Sequence, residues 1–463
     1  MPERDYIYYD FTLSLCSRCL RRVDAKIVIR GDEVLMRKRC PEHGPEEVLI
    51  ASDAAYYRRC RDFLKPGEAP LHPGTRTHFG CPYDCGLCPD HEQHSCLTLI
   101  EVTDRCNLSC PTCYAESSPT HGRHRTLAEV EAMLDVIVAS EGRPDVVQIS
   151  GGEPTIHPQF FEILDAAKRR PIRHLMVNTN GIRIARDEAF TARLASYMPA
   201  FEVYLQFDSL RAGPLLALRG EDLREVRAKA LANLNKHRLS TTLVVTLQKG
   251  QNTEEIGEII DYALKQPCVR GVTFQPTQAA GRLENFDPAR DRYTLTEARS
   301  DILRQSPVFT ADDLIPVPCN PDALVMGYAL KLGGEVIPLT RFLRPEDLLG
   351  APGNTIVYES DLRLRSHLMR VFSTGNTVDG VAPELQALLC CLPQIAAPGL
   401  TYENIFRVIV MQFIDAYNFD VRAIKRSCVH IVSKDLKIIP FETMNMFYRD
   451  EKADALVQLR RPG

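Results

Sequence analysis

Neither sign of charge dominates this sequence, because 60 Asp and Glu residues stand against 56 Lys and Arg residues and leave a net charge of −4. A long apolar run is also missing. The first ten residues, MPERDYIYYD, contain no apolar core of a signal peptide, and the most apolar stretch, IFRVIVMQFI, is interrupted by Arg407 and Gln412. We therefore expect a cytoplasmic protein with no membrane-spanning helix, no export signal and no nucleic-acid partner.

Cysteine, by contrast, is abundant and unevenly placed. Of the 16 cysteines, 11 fall within the first 113 residues, and eight of these form one close pair and two triplets. Without an export signal the thiols stay reduced, and clustered cysteines in a reducing compartment bind metal more often than they form disulfides. The sequence therefore predicts a metalloprotein. Its 463 residues exclude a small disulfide-stapled fold and correspond to about three domains.

Residues 1–62 are predicted to form a metal-binding domain. The strand-like runs AKIVIR and EVLMRKR flank Gly31 and Asp32 and predict a β-hairpin. Two ligand pairs flank that hairpin, which is the pattern of a ribbon-type tetrahedral site for zinc, with rubredoxin-like iron as the alternative. The predicted ligands are Cys16, Cys19, Cys40 and His43. Cys60 is left over and is predicted to be a buried thiol.

Residues 63–97 are predicted to be a Pro- and Gly-rich linker followed by an auxiliary iron–sulfur cluster segment. Cys81, Cys85 and Cys88 have the spacing CxxxCxxC, and Cys96 is available as a fourth thiolate. Full ligation by four cysteines is typical of an electron-transfer or structural cluster. His91 and His94 lie in the gap and are alternatives to Cys96, although solvated loop histidines are more common.

Residues 98–290 have the pattern of successive βα units. Six apolar, β-branched runs alternate with stretches of helical periodicity. The runs are LTLIEVT, DVVQIS, HLMVNT, EVYLQF, TTLVVTL and GVTFQP. The prediction is an α/β fold with a partial (β/α)6 barrel, between the N-terminal Cys-rich extension and a C-terminal α+β domain.

The loop after the first predicted barrel strand carries Cys106-x3-Cys110-x2-Cys113. Three thiolates in one short loop hold three corners of a 4Fe-4S cube, and the absence of a nearby fourth cysteine leaves one iron open for an exogenous ligand. The alternative is a zinc knuckle with a distant fourth ligand.

The second predicted strand ends in Gly151, Gly152 and Glu153. Two glycines allow a close approach of backbone to a small molecule, and a glutamate there can accept a hydrogen bond from an ammonium group. Barrels of this type place their active sites at the carboxyl ends of the strands. Asn180 and Asp208 follow later strands, and either a ligand contact or simple loop capping explains each of them.

The CxxxCxxC loop followed by GGEP resembles the radical S-adenosylmethionine (SAM) superfamily over roughly residues 98–280. The resemblance implies that Cys106, Cys110 and Cys113 bind a 4Fe-4S cluster whose open iron takes the amino and carboxylate groups of SAM. The further SAM contacts that it implies are Tyr114, Gly151, Gly152, Glu153, Asn180 and Asp208. Many members carry an aromatic residue just before the third cysteine, whereas this chain has Thr112 there and Tyr114 after it.

Residues 291–463 are predicted to be a C-terminal substrate or auxiliary domain. Apolar helices are predicted near 323–332 and 402–417, the second with Thr401 as N-cap, and a final strand pair is predicted in CVHIVS and LKIIPF. The remaining cysteines in this part of the chain are either core residues or a third cluster. The candidates for that cluster are Cys319, Cys390, Cys391 and Cys428.

The order CPEHG, CPYDCGLCPDH and EVTDRCNLSCPTCYAES resembles a narrower radical SAM group that includes archaeal tetraether lipid synthases and dihydropterin methylase-like proteins. This resemblance implies two or three 4Fe-4S clusters, zinc or mononuclear iron, SAM, and a reductant such as ferredoxin or flavodoxin. The first hypothesis is that the enzyme forms C–C bonds on a lipid chain, which implies peripheral contact with the membrane. The alternatives are radical alkylation of a pterin and, from another class, a non-catalytic iron–sulfur electron carrier.

Overall fold

A computed structural model describes residues 4–120, 122–283, 285–332, 334–341, 404–449 and 452–460. Two of the predicted third-cluster cysteines, Cys390 and Cys391, lie outside these residues.

The N-terminal part is a four-stranded antiparallel sheet in sequential order. Its strands are β1 (Ile7–Leu15), β2 (Arg22–Arg30), β3 (Glu33–Cys40) and β4 (Gly44–Ala51). The predicted hairpin is confirmed as β2 and β3, joined at Gly31, whose φ of +60° suits the tight turn. Alternate residues of both strands, such as Ile27 and Met36, pack in a small core of their own.

The centre of the molecule is a parallel sheet of six consecutive strands. They are β5 (Leu97–Glu101), β6 (Val146–Ser150), β7 (His174–Thr179), β8 (Phe201–Gln206), β9 (Thr241–Leu247) and β10 (Val269–Pro276). Each pairs with the next one in parallel. The six predicted runs are therefore confirmed as the strands of a partial barrel.

Helices cover the outer face of this sheet, where apolar side chains of strands and helices form one continuous core. The helix α2 begins at a capping box, in which Thr126 and Glu129 each bond the other's backbone N–H. The helices up to the end of this region are α1 (Ala54–Arg59), α2 (Leu127–Glu141), α3 (Phe160–Lys168), α4 (Ile182–Arg186), α5 (Glu188–Ala195), α6 (Ala212–Arg219), α7 (Arg224–Lys236), α8 (Ile256–Leu264), α9 (Pro288–Asp291) and α10 (Leu295–Gln305).

The same sheet continues beyond the six strands at both edges. The additional strands are β11 (Ile315–Pro316), β12 (Leu324–Leu332), β13 (Glu335–Pro338), β14 (Ile405–Met411), β15 (Val429–Val432) and β16 (Ile438–Pro440). The prediction of helices near 323–332 and 402–417 was wrong, because these segments contain β12 and β14. β14 runs parallel to β10 and antiparallel to β12, so it is an interior strand covered on both faces, which explains its apolar run.

At the opposite edge, β15 pairs in parallel with β5 and antiparallel with β16. The predicted final strand pair is confirmed. The C-terminal helical segments are α11 (Val421–Lys425), α12 (Phe441–Thr443), a π-helical turn at Met444–Tyr448 and α13 (Ala453–Leu459). Among the described residues, no helix combines the length and apolar character needed to cross a bilayer.

Candidate functional site

The three-cysteine loop, which carries Cys106, Cys110 and Cys113, follows β5 at the carboxyl ends of the parallel strands. Cys106 and Cys110 are buried, Cys113 is half-buried, and all three line one cavity. Arg282 braces the loop: its guanidinium donates to the carbonyl oxygen of Cys110 at 2.8 Å, and its backbone N–H donates to that of Cys113 at 3.1 Å. The structure thus brings the three thiols together at the mouth of the barrel.

The surroundings of these thiols fit an iron–sulfur cluster. Burial raises the pKa of the Cys106 thiol to about 12, and the nearby Glu153 carboxylate adds to the rise. Burial also raises the pKa of Cys110, against the opposing charge of Arg219. Thiolates at these positions need further positive charge, which the irons of a cluster supply.

The glycines at the end of β6 bring the backbone close to the three-cysteine loop. A Cβ on Gly151 would lie 2.3 Å from the carbonyl oxygen of Thr103, and one on Gly152 would lie 2.2 Å from that of Arg105. The backbone N–H groups of Gly152 and Glu153 donate to these same two oxygens, at 2.8 and 2.9 Å. The sequence prediction assigned the glycines to a small molecule; in the structure they also fasten the strand end to the cysteine loop.

Glu153 lies under this strand end with only 1% of its surface exposed. Its Oε1 accepts from the backbone N–H of Thr155 at 3.1 Å and from the hydroxyls of Thr155 and Thr179 at 2.6 and 2.7 Å. Oε2 accepts from the backbone N–H of Asn180 at 2.7 Å. An oxygen with one donor can accept another, so Oε2 is suited to an ammonium group in the cavity.

Asn180 lines the cavity but uses its amide within the protein. Its Nδ2 donates to Oδ1 of Asn107 at 2.6 Å, and its Oδ1 accepts from the backbone N–H of Ile182 at 3.1 Å, at the start of α4. The geometry therefore gives Asn180 a capping role and leaves a ligand contact as a proposal.

Asp208 lies one layer below the cavity and has no exposed surface. Arg219 donates Nε to its Oδ2 at 2.7 Å and a terminal nitrogen to its Oδ1 at 2.5 Å. That nitrogen also donates to Oε1 of Gln206 at 2.9 Å. Arg219, rather than Asp208, faces the cavity. In the structure the Asp208 carboxylate holds Arg219 beside Cys110, and the expected SAM contact of Asp208 stays a prediction.

The cavity has a volume of about 170 Å³ and two contrasting walls. One wall is apolar and contains residues of β5, β14, β15 and α12. The other carries an amide row, four side chains that project from β6, β7, β8 and β10. These four are Gln148, Asn178, Gln206 and Gln275. Sequence analysis missed Gln148; a lone amide inside an otherwise apolar strand is the signal that pointed to it.

Tyr114 forms part of the apolar wall, as the resemblance implied for an aromatic contact. Its ring lies edge-on to Phe441 of α12, with ring centroids 4.9 Å apart. The Arg449 guanidinium lies 5.4 Å from the Tyr114 ring centroid and pairs with Glu101 of β5 at 2.9 Å. The C-terminal segment therefore fixes the aromatic side chain that faces the cavity.

The ribbon site, formed by Cys16, Cys19, Cys40 and His43, is assembled as predicted, with all four ligand atoms within 4.8 Å of one another. Nδ1 of His43 lies 3.5 Å from the sulfurs of both Cys16 and Cys40, and the sulfurs of Cys19 and Cys40 are 3.8 Å apart. A tetrahedron with metal–sulfur bonds of about 2.3 Å has edges of about 3.8 Å. The thiol set therefore fits a single tetrahedral metal ion.

Cys81 and Cys85, two of the three cysteines of the CxxxCxxC set, are hydrogen-bonded to each other near the C-terminal segment. Hydrogen bonding to Cys85 lowers the pKa of Cys81 against the effect of burial. Thr443 donates its hydroxyl to the sulfur of Cys85 at 3.1 Å, and the backbone N–H of Cys85 donates to the hydroxyl of Tyr448 at 2.7 Å.

Cys96 is grouped differently from the sequence prediction. Its sulfur lies within 4.8 Å of those of Cys319 and Cys428, which are themselves 3.4 Å apart. The reason is the pairing of β15 with β5: Val429 lies opposite Leu97, so the residues that precede them, Cys428 and Cys96, are neighbours. We call this group the Cys96 triad. It brings together Cys319 and Cys428, two candidates for the third cluster, and it includes Cys96, which the sequence prediction assigned to the CxxxCxxC set.

The rings of the two gap histidines hydrogen-bond to groups other than Cys81, Cys85 and Cys88, although the backbone N–H of His91 donates to the carbonyl oxygen of Cys88 at 3.0 Å. Nε2 of His94 is 3.7 Å from the sulfur of Cys96, and Nδ1 is 3.0 Å from Glu141. His91 lies 3.2 Å from His430 between ring nitrogens. Cys60 is a buried thiol with 2% exposure, as predicted.

Comparisons with known proteins agree with this arrangement. A 7,8-dihydro-6-hydroxymethylpterin dimethyltransferase of Methanocaldococcus jannaschii is 29% identical over 95% of this chain and 94% of its own. Mycofactocin maturase MftC of Mycolicibacterium smegmatis is 26% identical over 38% of this chain and 44% of its own. A GTP 3',8-cyclase of Syntrophomonas wolfei is 29% identical over 40% and 57%. The chain thus spans less than two thirds of these last two relatives.

Among solved structures, Streptococcus suis SuiB bound to S-adenosylmethionine matches with a TM-score of 0.38 and 18% identity, over 45% of this chain and 46% of that one. Family models match two segments: the HMPTM N-terminal zinc ribbon domain over residues 8–52 and the radical SAM superfamily over residues 100–263. The second segment contains both the three-cysteine loop and the glycine-bearing end of β6, so the site described above lies within the part of the chain that matches the radical SAM superfamily.

Proposed function

We propose that this protein is a radical SAM transferase that alkylates the ring of a reduced pterin. The observation that carries the proposal is the cavity beside the three-cysteine loop, whose amide row faces an apolar and aromatic wall. Such a cavity suits a flat, polar heterocycle, because the ring faces pack on apolar groups while its edge forms hydrogen bonds. The relative that aligns with nearly the whole chain is named for a dihydropterin.

Within this proposal, each part of the site has a distinct task. A 4Fe-4S cluster bound here and reduced by an external one-electron donor would supply the electron that splits SAM into methionine and a 5'-deoxyadenosyl radical, and that radical would take a hydrogen atom from a carbon. Cys106, Cys110 and Cys113 would hold the cluster, and Glu153 would accept a hydrogen bond from the amino group of SAM. The barrel and the Tyr114 wall exclude water from the reacting atoms.

The amide row also supports one of the two substrate hypotheses. A hydrocarbon chain in this cavity would leave the buried Oε1 of Gln148 without a hydrogen-bond partner, which costs about 1–3 kcal/mol. A pterin edge can satisfy it. The pterin alternative is therefore favoured over C–C bond formation on a lipid, and the expectation of peripheral membrane contact gains no support.

The test is anaerobic reconstitution of the full chain with iron and sulfide, followed by SAM, dithionite and 7,8-dihydro-6-hydroxymethylpterin. We expect 5'-deoxyadenosine together with a pterin of increased mass. Methyl-labelled SAM in a parallel reaction shows whether the transferred carbon comes from SAM. Cys110→Ala is expected to abolish both products, with Cys268→Ala as the buried-thiol control.

Two outcomes would contradict the proposal. Wild type that forms no 5'-deoxyadenosine would support the electron-carrier reading. Wild type that forms 5'-deoxyadenosine but leaves the pterin unchanged, while its expression in a host alters the lipids, would support the lipid reading.

A further inference from the structure

Gln148 is the member of the amide row that stands apart from the others. It lies in the middle of β6 with 2% of its surface exposed, and it lines the cavity. Its Oε1 is buried and has no hydrogen-bond partner in the described part of the chain. Buried side-chain oxygens in folded proteins nearly always have a partner, so this atom requires an explanation.

The rest of the row is bonded internally. Nε2 of Gln206 donates to Oδ1 of Asn178 at 2.8 Å, and Nδ2 of Asn178 is 3.3 Å from the hydroxyl of Ser150. Nε2 of Gln275 donates to the hydroxyl of Tyr204 at 3.2 Å. These three amides therefore form a fixed polar surface across neighbouring strands.

The position of Gln148 explains why the protein itself does not satisfy it. Its neighbours along β6, Val147 and Ile149, pack in the core beneath the helices, so Gln148 faces the opposite side, the barrel interior. Across the sheet it is paired with Leu99 of β5 and Met176 of β7. Neither side chain offers a hydrogen-bond donor, which leaves the cavity as the source of one.

We infer that Gln148 is a specificity-determining residue that hydrogen-bonds the lactam edge of the substrate heterocycle. This inference rests on the proposed function. A lactam presents an N–H donor beside a C=O acceptor, and a glutamine amide offers the complementary pair. Rotation about the last side-chain bond allows either amide atom to face either group. The apolar Leu99 and Met176 on either side leave Gln148 as the group that can recognise this edge in the middle of the wall.

The experiment uses the reconstituted full-length enzyme with Gln148→Leu, which has nearly the same size and no polar atoms. We expect the KM for 7,8-dihydro-6-hydroxymethylpterin to rise by about 10- to 100-fold, while the iron content stays at the wild-type level. Gln148→Asn keeps the amide on a shorter side chain, and its KM is expected to lie between those of wild type and Gln148→Leu. Gln159→Leu removes an exposed glutamine next to α3 and is the matched control.

A substrate analogue isolates the hydrogen bond from other effects of the substitution. The analogue carries a methyl group in place of the lactam N–H hydrogen. Wild type is expected to use the unmodified pterin at least about tenfold more efficiently than the analogue, and Gln148→Leu is expected to lose most of this preference. Loss of the preference would not follow from a merely structural role.

The outcomes of the experiment distinguish a failure of the inference from a failure of the proposed function. If wild type turns over the pterin but Gln148→Leu keeps the wild-type KM and the same preference, the inference is wrong and the proposed function stands. If wild type does not turn over the pterin, both are wrong. If Gln148→Leu loses iron or does not fold, the inference is tested with Gln148→Asn and the analogue instead. If Gln148→Asn keeps the wild-type preference for the unmodified pterin over the analogue, the inference is wrong.

Discussion

At the residue scale, buried charges in this protein are held in pairs within the barrel. Asp208 lies beneath the cavity and pairs with Arg219, which lines the cavity, and Glu202 pairs with Arg407 at the other end of the barrel interior. A buried pair adds little net stability, yet breaking one leaves an uncompensated charge. These pairs therefore fix the positions of side chains more than they add to the free energy of unfolding.

The first prediction concerns Asp208→Asn. The variant leaves the Arg219 guanidinium buried without its carboxylate, so the free energy of unfolding should fall by about 3–5 kcal/mol. Denaturant titration of the apoprotein measures this. The double variant Asp208→Leu/Arg219→Met should recover part of the loss, because the buried Arg227, 3.8 Å from Asp208, still loses its carboxylate. Asp222→Asn, which breaks an exposed pair with Arg224, should change little. Equal losses in the single and double variants would contradict a buried-pair effect.

The second prediction is a pH dependence that comes from Glu202. Burial alone would raise the pKa of this carboxyl, but Arg407 at 2.7 Å and His174 at 3.6 Å hold the pKa well below its usual range. A lowered pKa contributes stability that is complete above the unfolded value, about 4.3, and is lost as pH falls below it. Glu202→Gln should therefore be less stable than wild type at neutral pH.

The difference between wild type and Glu202→Gln should narrow as pH falls below about 4.3. Thermal unfolding of both proteins between neutral and acidic pH measures the difference. The exposed pair of Glu258 with Arg211 provides a control, since Glu258→Gln should follow wild type at every pH. A stability difference between wild type and Glu202→Gln that stays constant with pH would show that Glu202 acts through packing alone.

At the scale of elements, the sequence predicted the parallel strands well and the C-terminal strands poorly. The six central runs are short, apolar and followed by polar residues, and β6 begins and ends within one residue of its run. The segments that became β12 and β14 are longer and apolar almost throughout. Such runs fit a buried helix as well as a strand covered on both faces, and only the pairing of β14 with β10 decides between them.

The same limit applied to the candidate site. Local spacing predicted the three-cysteine loop and the ribbon site, because the ligands of the first lie in one loop and those of the second lie in two short turns. The Cys96 triad depends on the pairing of β15 with β5, which joins residues more than 300 positions apart. The sequence shows Gln148 as a lone amide in an apolar run, but its place in the cavity wall follows only from the inward face of β6.

The third prediction tests the ribbon as an independent metal element. Cys40→Ala removes one of four ligands, and a structural tetrahedral metal contributes folding free energy directly. We expect loss of one metal ion per chain and lower stability or yield, with SAM cleavage preserved in the protein that folds. Metal analysis and the 5'-deoxyadenosine assay measure these effects, and Cys60→Ala is the control for loss of a buried thiol. Abolished SAM cleavage in folded Cys40→Ala would contradict this separation.

At the scale of the whole molecule, segments distant in sequence close around the barrel. Lys38 of the N-terminal sheet donates to the carbonyl oxygens of Ala416 and Tyr417 at 2.9 and 2.7 Å. The Cys96 triad joins the residue just before the barrel to two residues of the C-terminal part. A metal centre at the triad would therefore tie together the two edges of the sheet.

The last prediction separates the two cysteine groups outside the three-cysteine loop. Cys81, Cys85 and Cys88 form one set and the Cys96 triad another, so two auxiliary clusters would be lost independently. Cys85→Ala and Cys428→Ala should each remove about four irons per chain, and the double variant about eight. Both single variants should keep pterin-independent SAM cleavage, because the three-cysteine loop is intact.

Cys96→Ala decides how the fourth thiolate is assigned. The structure predicts that adding Cys96→Ala to Cys428→Ala removes no further iron, whereas adding it to Cys85→Ala doubles the loss. The grouping read from the sequence predicts the reverse. Iron and sulfide analysis after identical reconstitution measures both, with Cys268→Ala as a control thiol that belongs to neither group. If Cys96→Ala and Cys428→Ala together remove more iron than Cys428→Ala alone, Cys96 belongs to the CxxxCxxC set and the grouping in the structure is contradicted.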